Sequence, residues 1–255
     1  MQKITTIVLA FIMLTITSCV SKKEIVYFQN DEANQTEITI PYKTTFKADD
    51  LLQITVSATN LDAVKPFNLP SVSFAASTNS VAGTPQQQTY LIDSKGYIDF
   101  PVLGQIKLSG LTRTDAIDFL KNKLSPEYIK NPTINIKIAN FSVTVLGDVK
   151  KPGRFTIPNE RISVIEAIGL AGDLNMSGIR NIEVKRESKN KITTFKLDLR
   201  SNKVFSSPAY YLQQNDIVYV KPNGASSQDA AYNKNAGLFI SIGSVLISLI
   251  AILTR

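Results

Sequence analysis

Carboxylates are the acid–base groups this chain has to offer: its 255 residues include no histidine, no tryptophan and one cysteine, Cys19. Imidazole bases, ordinary zinc sites and thiol nucleophiles in the body of the chain are thereby excluded. The obvious adjacent acidic pair is Asp49-Asp50, but neighbours on a strand point to opposite faces and do not converge on one substrate. The pair reads as the turn that opens a strand. Carbohydrate cleavage would need two carboxyls about 5 to 10 Å apart in a cleft, and the spacing of Asp93, Asp99, Asp148 and Glu166 proposes none. No catalytic residue, metal or cofactor is expected.

A net charge of +7 raises the question of nucleic acid. The lysines and arginines are scattered, and the aromatic residues do not interleave with a basic cluster, so nucleic acid is not the expected partner. Weak attraction to anionic lipid or glycan is the milder implication. With 44% hydrophobic and 19% charged residues the chain is globular, long enough for one large or two ordinary domains.

The elements follow from periodicity. Residues 20 to 37 are polar and lack helical spacing, which suggests a tether. Leu52, Ile54, Val56 and Ala58 alternate with Gln53, Thr55 and Ser57, a half-buried strand. Residues 60 to 89, broken by Pro66, Pro70, Gly83 and Pro85, exceed an ordinary connection. They read either as an exposed insertion or as a loop meeting a partner through Phe67 and Phe74.

Tyr90 to Pro101 reads as a hairpin turning at Ser94-Lys95-Gly96, and Thr112 with Asp115 stands at capping-box spacing before a helix to Leu124. Thr133–Ile138 and Phe141–Leu146 are further strands, with a junction near Asn140. A second unit repeats the grammar. Its Ser163 and Glu166 cap a short helix that stops at Gly172, and strands follow at 181–186, 192–197 and 216–220.

Both extremes are apolar. Met1 to Ser18 carries one basic residue, an apolar stretch and small polar residues before Cys19, as a secretory signal does. Ile16-Thr17-Ser18-Cys19 resembles a bacterial lipoprotein box, which implies cleavage and acylation of Cys19. A plain signal with an incidental thiol and an uncleaved anchor are the other readings; the placement of the sole cysteine favours lipidation. At the other end, Ala236 to Thr254 has no charge and at ~1.5 Å per residue spans about 28 Å, close to a hydrocarbon core. Gly237, Ser241, Ser244, Ser248 and Ala251 form one small or polar stripe on that segment, which suits tight helix packing or a pore lining.

In their order, the turns resemble those of the outer-membrane polysaccharide export proteins of Gram-negative bacteria. Ala48-Asp49-Asp50-Leu51-Leu52-Gln53-Ile54-Thr55-Val56 is similar to the family's Gly-Asp-x-Leu-x-Ile-x-Val, with Asp49 where glycine is usual. Asp93, Gly96 and Pro101-Val102-Leu103-Gly104 match its hairpin, and Gly110-Leu111-Thr112 and Asn131-Pro132-Thr133 follow. Gly147-Asp148, Pro152-Gly153 and Asn215-Asp216 resemble a soluble-ligand-binding β-grasp domain. These residues are turn and core signatures, not catalytic groups.

The resemblance implies an α+β fold: two small β-rich domains, each with a short packed helix and the second β-grasp-like, plus a C-terminal transmembrane helix. Its expected parts are a signal peptide (1–18), a tether (19–37), an export domain (38–140) with a loop insertion (60–89), a β-grasp domain (141–222), a linker (223–235) and a membrane helix (236–254). It further implies an oligomeric ring, lipid-anchored to the outer membrane with its bulk in the periplasm. That ring would pass capsular or extracellular polysaccharide and work with an inner-membrane polysaccharide co-polymerase or tyrosine kinase. A monomeric tethered module that binds glycan or protein is the alternative.

Overall fold

Strand β1 (Leu51–Ser57) shows how the pattern becomes structure, because its even-numbered residues Leu52, Ile54 and Val56 are all buried. The computed structural model describes residues 22–29, 44–72, 86–188, 191–224, 241–245 and 248. β1 lies between β4 (Tyr90–Leu91) and β7 (Thr133–Ile138), antiparallel to both. In β7 the isoleucines at 134, 136 and 138 face the core while Thr133, Asn135 and Lys137 face out.

Between them, α1 (Leu61–Val64) and a 3-10 turn over Lys65–Phe67 lead to a short ladder of β2 (Ser71–Val72) with β3 (Gln86–Gln87). Asn68 locks this segment to β1: it accepts from the Val56 N–H at 2.8 Å and donates to the Val56 carbonyl at 2.8 Å. Phe67 is buried and meets Tyr128 edge to face, so it is a core residue and not an exposed anchor for a partner. Phe74 lies outside the described residues.

The expected hairpin over 90–101 divides differently. The turn at Gly96 is present, closed by Gly96 N–H to Asp93 carbonyl, but β4 pairs with β1 instead of with the strand that follows it. The hairpin ladder is β5 (Tyr97–Phe100) with β6 (Gly104–Lys107), turning at Pro101 to Leu103. The difference has a cause in Asp93, whose carboxylate accepts from Lys95 and Tyr97 N–H and curls the chain before a longer ladder can form.

Helix α2 (Arg113–Leu124) begins at Thr112 with both halves of a capping box in place and buries Ala116, Leu120 and Leu124, one stripe at four-residue spacing. It covers β7. Truncating Leu120 to alanine would cost about 2–5 kcal/mol, the range for a fully buried leucine.

The second unit is a five-stranded mixed sheet in the order β11-β10-β12-β8-β9. Its strands are β8 (Ser142–Gly147), β9 (Gly153–Thr156), β10 (Asn181–Ser188), β11 (Lys191–Asp198) and β12 (Ile217–Val220). β8 and β12 run parallel at its centre, and the other pairs are antiparallel. Helix α3 (Val164–Leu170), capped by Ser163 and Glu166, packs on β8 through Val164, Ala167 and Ile168. Gly147 ends β8 at φ 93°, and a Cβ there would strike the Val220 carbonyl oxygen of the parallel neighbour. One hydrophobic core runs through both units.

Residues 22 to 29 do not behave as a polar tether. Phe28 and Gln29 donate to the Leu199 and Arg200 carbonyls at 3.1 and 2.7 Å, and Phe28 stacks on Phe205. Tyr27 donates to Asp173 at 2.6 Å under the Arg180 guanidinium, and burial raises its hydroxyl far above the ordinary tyrosine range. The aromatic pair Tyr27-Phe28 thus straps the chain to the second unit, which the polar composition around it conceals.

Among the described residues no helix is long and apolar enough to cross a membrane. Residues 236–254 lie mostly outside the described set, as do Cys19, Gly237 and Ala251; residues 241–245 and 248 are helical. There the Ser244 and Ser248 hydroxyls donate to the Ser241 and Ser244 carbonyls, so each is satisfied within its own helix.

Candidate functional site

Two turns of the same construction meet at the seam between the units. In the first, Asp50 N–H donates to the Lys47 carbonyl at 3.3 Å, and Lys47 N–H donates back to the Asp50 carboxylate at 2.8 Å. In the second, Asp216 N–H donates to Gln213 at 3.1 Å and Gln213 N–H to the Asp216 carboxylate at 2.8 Å. The residue before each aspartate is left-handed, Asp49 at φ 68° and Asn215 at φ 64°. Asp and Asn tolerate this region better than other non-glycine residues, which is how they stand where glycine is usual.

The turns are stitched together. Lys47 Nζ reaches Gln213 Oε1 at 3.3 Å. The Asn140 side chain accepts from Leu51 N–H and donates to the Asp49 carbonyl, both at 2.9 Å, while Gln214 donates to the Asn140 carbonyl at 3.0 Å and accepts from Ser142 N–H at 2.7 Å. The Asn140 side chain thus serves two backbone groups of the first unit, and Gln214 serves one backbone group of each unit.

Electrostatically the turns differ. Asp216 is gripped in a fork by Arg186, at 3.0 Å from Nε and 2.7 Å from NH2, with the guanidinium also donating to the Tyr211 carbonyl and lying over Phe195. Asp50 is equally buried, but among the described residues its Oδ1 has no hydrogen-bond partner. Burial pushes its carboxyl up to about 6, against the opposing pull of the Lys47 N–H and charge. Burial also lowers the Lys47 ammonium, with Asp216 and Asp50 holding it up and Arg186 adding to the fall.

Beside this seam opens a groove of about 780 Å³, between the start of α2 and the outer face of β7 on one side and the Pro158–Arg161 loop on the other. Arg113, Lys137 and Arg161 line it together with one carboxylate, Glu160. Glu160 accepts from Ile138 N–H at 2.6 Å and lies 3.9 Å from Arg113, while Arg161 covers the Tyr211 ring at 4.4 Å. Such walls attract polar and anionic groups; one carboxylate, already committed to a backbone N–H, offers no acid–base pair. Among the described residues no cluster of His, Cys, Asp and Glu could hold a metal ion.

The remaining sequence-marked positions are dispersed over turns. Gly96 and Gly104 sit at positive φ in the β5–β6 region and Pro101 opens its turn. Pro132 is buried ahead of β7, Gly147 ends β8, and Pro152-Gly153 opens β9. Across the two units the fold brings Asp50 and Asp216 to one seam, where Lys47 Nζ bonds Gln213 of the Asp216 turn. Sequence reasoning missed Arg186, Asn140's double bond and Glu160, each a lone polar residue without a motif around it.

Two family models match successive parts of the chain. Residues 39–139 match the family described as polysaccharide biosynthesis/export protein, and residues 142–220 match the SLBB domain family. The chain is 26% identical over 164 residues to the EPS I polysaccharide export outer membrane protein EpsA of Ralstonia solanacearum, an overlap covering 63% of this chain and 43% of that protein. It is 25% identical over 163 residues to the protein of the same description from Ralstonia nicotianae, covering 63% and 42%. The chain thus spans less than half the length of these relatives. With an export unit followed directly by an SLBB unit, it belongs to the polysaccharide export protein family.

Proposed function

We propose that this chain is the subunit of an oligomeric outer-membrane channel that passes capsular or extracellular polysaccharide without chemical change. The observation that carries the reading is the direct succession of export and SLBB units, over the region shared with proteins named for polysaccharide export at the outer membrane. The cationic groove and its single carboxylate support passage of a polar chain, not its cleavage.

On this reading residues 1–18 are removed, Cys19 carries the lipid, the two units (38–140 and 141–222) stand in the periplasm as a closed ring, and residues 236–254 cross the membrane. The internally bonded hydroxyls of Ser244 and Ser248 suit close helix packing in such a ring. An inner-membrane co-polymerase or tyrosine kinase would feed it.

Two measurements test the proposal. Deleting the gene should abolish surface polysaccharide, with restoration by the wild-type gene and loss again with Ser244→Leu/Ser248→Leu, which should insert normally. Native mass spectrometry of the full-length lipoprotein in mild detergent should give one ring-sized assembly. A persistent monomer with unaltered surface polysaccharide in the deletion strain would replace this reading by a tethered binding module.

A further inference from the structure

The loop Asn175–Arg180 is where the second unit receives the chain at one end and releases it at the other. The strap arrives there: Arg180 Nε donates to the Ile25 carbonyl at 3.1 Å and its guanidinium covers Tyr27. The C-terminal exit leaves from the same loop, Ile179 N–H donating to the Lys221 carbonyl and Asn223 N–H to the Ser177 carbonyl, both at 2.8 Å. Arg180 also donates to the carbonyls of Asn175 and Gly178, so the loop is held from within.

This rigid place bears apolar side chains in the open. Met176 is 71% exposed and Ile179 38%; Val26 on the strap is 53% exposed and Leu170, at the end of α3, 50%. Leu170 adjoins Gly169, which shares a small pocket with Tyr27 and Phe28. Exposed lysines stand beside them: Lys23 on the strap, and Lys150 and Lys151, whose N–H groups bond the Asp173 and Ala171 carbonyls at the end of α3. Clustered apolar side chains with a basic margin are the composition of a surface that meets lipid.

We infer that this end of the second unit rests on a phospholipid surface, with Met176, Ile179, Leu170 and Val26 entering the headgroup layer and the lysines meeting anionic headgroups. The inference rests on the proposed anchoring of Cys19 and of residues 236–254. Only Val20 and Ser21 separate Cys19 from Lys22, so at about 3.3–3.6 Å per residue an acylated Cys19 lies within roughly 11 Å of the strap. The strap's bonds to Leu199 and Arg200 then hold the unit against the bilayer instead of letting it swing.

The full-length protein in phosphatidylethanolamine–phosphatidylglycerol vesicles carrying a photoactivatable phospholipid tests this. Mapped cross-links should concentrate in residues 23–26 and 170–180 and spare the β10–β11 hairpin tip at 187–193. Met176→Asp/Ile179→Asp should cut the yield at 170–180 several-fold, and Lys150→Glu/Lys151→Glu should do so in vesicles containing phosphatidylglycerol. Even labelling of hairpin and loop, or labelling of the hairpin alone, overturns the inference. The same digest reports acylation of Cys19. Cross-links at 170–180 with an unmodified Cys19 would keep this docking face and refute the lipid anchor, whereas an acylated Cys19 with unlabelled 170–180 would do the reverse.

Discussion

The turns at Asp50 and Asp216 share backbone geometry, hydrogen-bond pattern and burial, yet one carboxylate is forked by an arginine and the other leaves an oxygen unpaired. The shared part is what a strand needs at its start: an acceptor for the N–H three residues back and a left-handed residue before it. The unshared part is the charge. The SLBB unit commits its aspartate to a fork with Arg186, while the export unit carries a carboxyl that burial pushes up to about 6. The first turn is therefore the softer of the two, and it sits at the seam.

Breaking the fork should have the largest effect. Arg186→Met retains much of the stem that packs over Phe195 but leaves Asp216 charged and buried, which should cost about 3–5 kcal/mol, read as a fall in the urea midpoint. Adding Asp216→Asn removes the stranded carboxylate and should recover most of the loss. If the double variant is as unstable as the single, the arginine acts by packing and not by charge.

Next in size is the stitching. Asn140→Ala removes a side chain that serves Leu51 N–H and the Asp49 carbonyl, a loss of about 1–3 kcal/mol if Leu51 N–H is left dry. Amide exchange at Leu51 should accelerate more than exchange at Ser142, which Gln214 still holds. Equal acceleration would mean that the seam opens as one unit.

Asp50→Asn should stabilise instead, by an amount that depends on pH. The folded-state pKa is raised, to about 6 from 3.8, so the folded protein binds the proton more tightly than the unfolded chain. Stability from this group is fully present below the unfolded value and is lost as pH rises through the folded one. Asparagine keeps an acceptor for Lys47 N–H without the buried charge. Its advantage over the wild type should therefore grow between about pH 4 and 6 and level off above. A urea midpoint difference that is flat across that range would show Asp50 to be paired in solution.

Much of this was legible in the residues. Both capping boxes, the alternation in β1 and β7 and the leucine stripe of α2 are local rules that the tertiary structure obeys. The failures are non-local. That β4 joins β1 and not β5 is a matter of tertiary pairing, and no period in Tyr90–Pro101 encodes it. Tyr27-Phe28 lies in a polar stretch, so only the partners Asp173, Arg180 and Phe205 reveal it as part of the fold. At the seam, Asp50 and Asp216 were marked by motif, but the arginine that separates them in character stands in β10, some thirty residues from the carboxylate it serves.

The finest comparison is between the left-handed residues themselves. Asp49→Gly and Asn215→Gly each relieve a φ above 60°, a gain offset by the freedom glycine adds to the unfolded chain, so both should shift stability by less than about 0.5–1 kcal/mol. Asp49→Gly should be the more favourable, because it also removes a like charge that raises the buried Asp50 carboxyl. Its advantage over Asn215→Gly should accordingly be largest above pH 6, where Asp50 is ionised, and vanish below pH 4. Identical behaviour of the two variants across that range would place Asp49 too far into solvent to matter, leaving the Asp50 shift to burial alone.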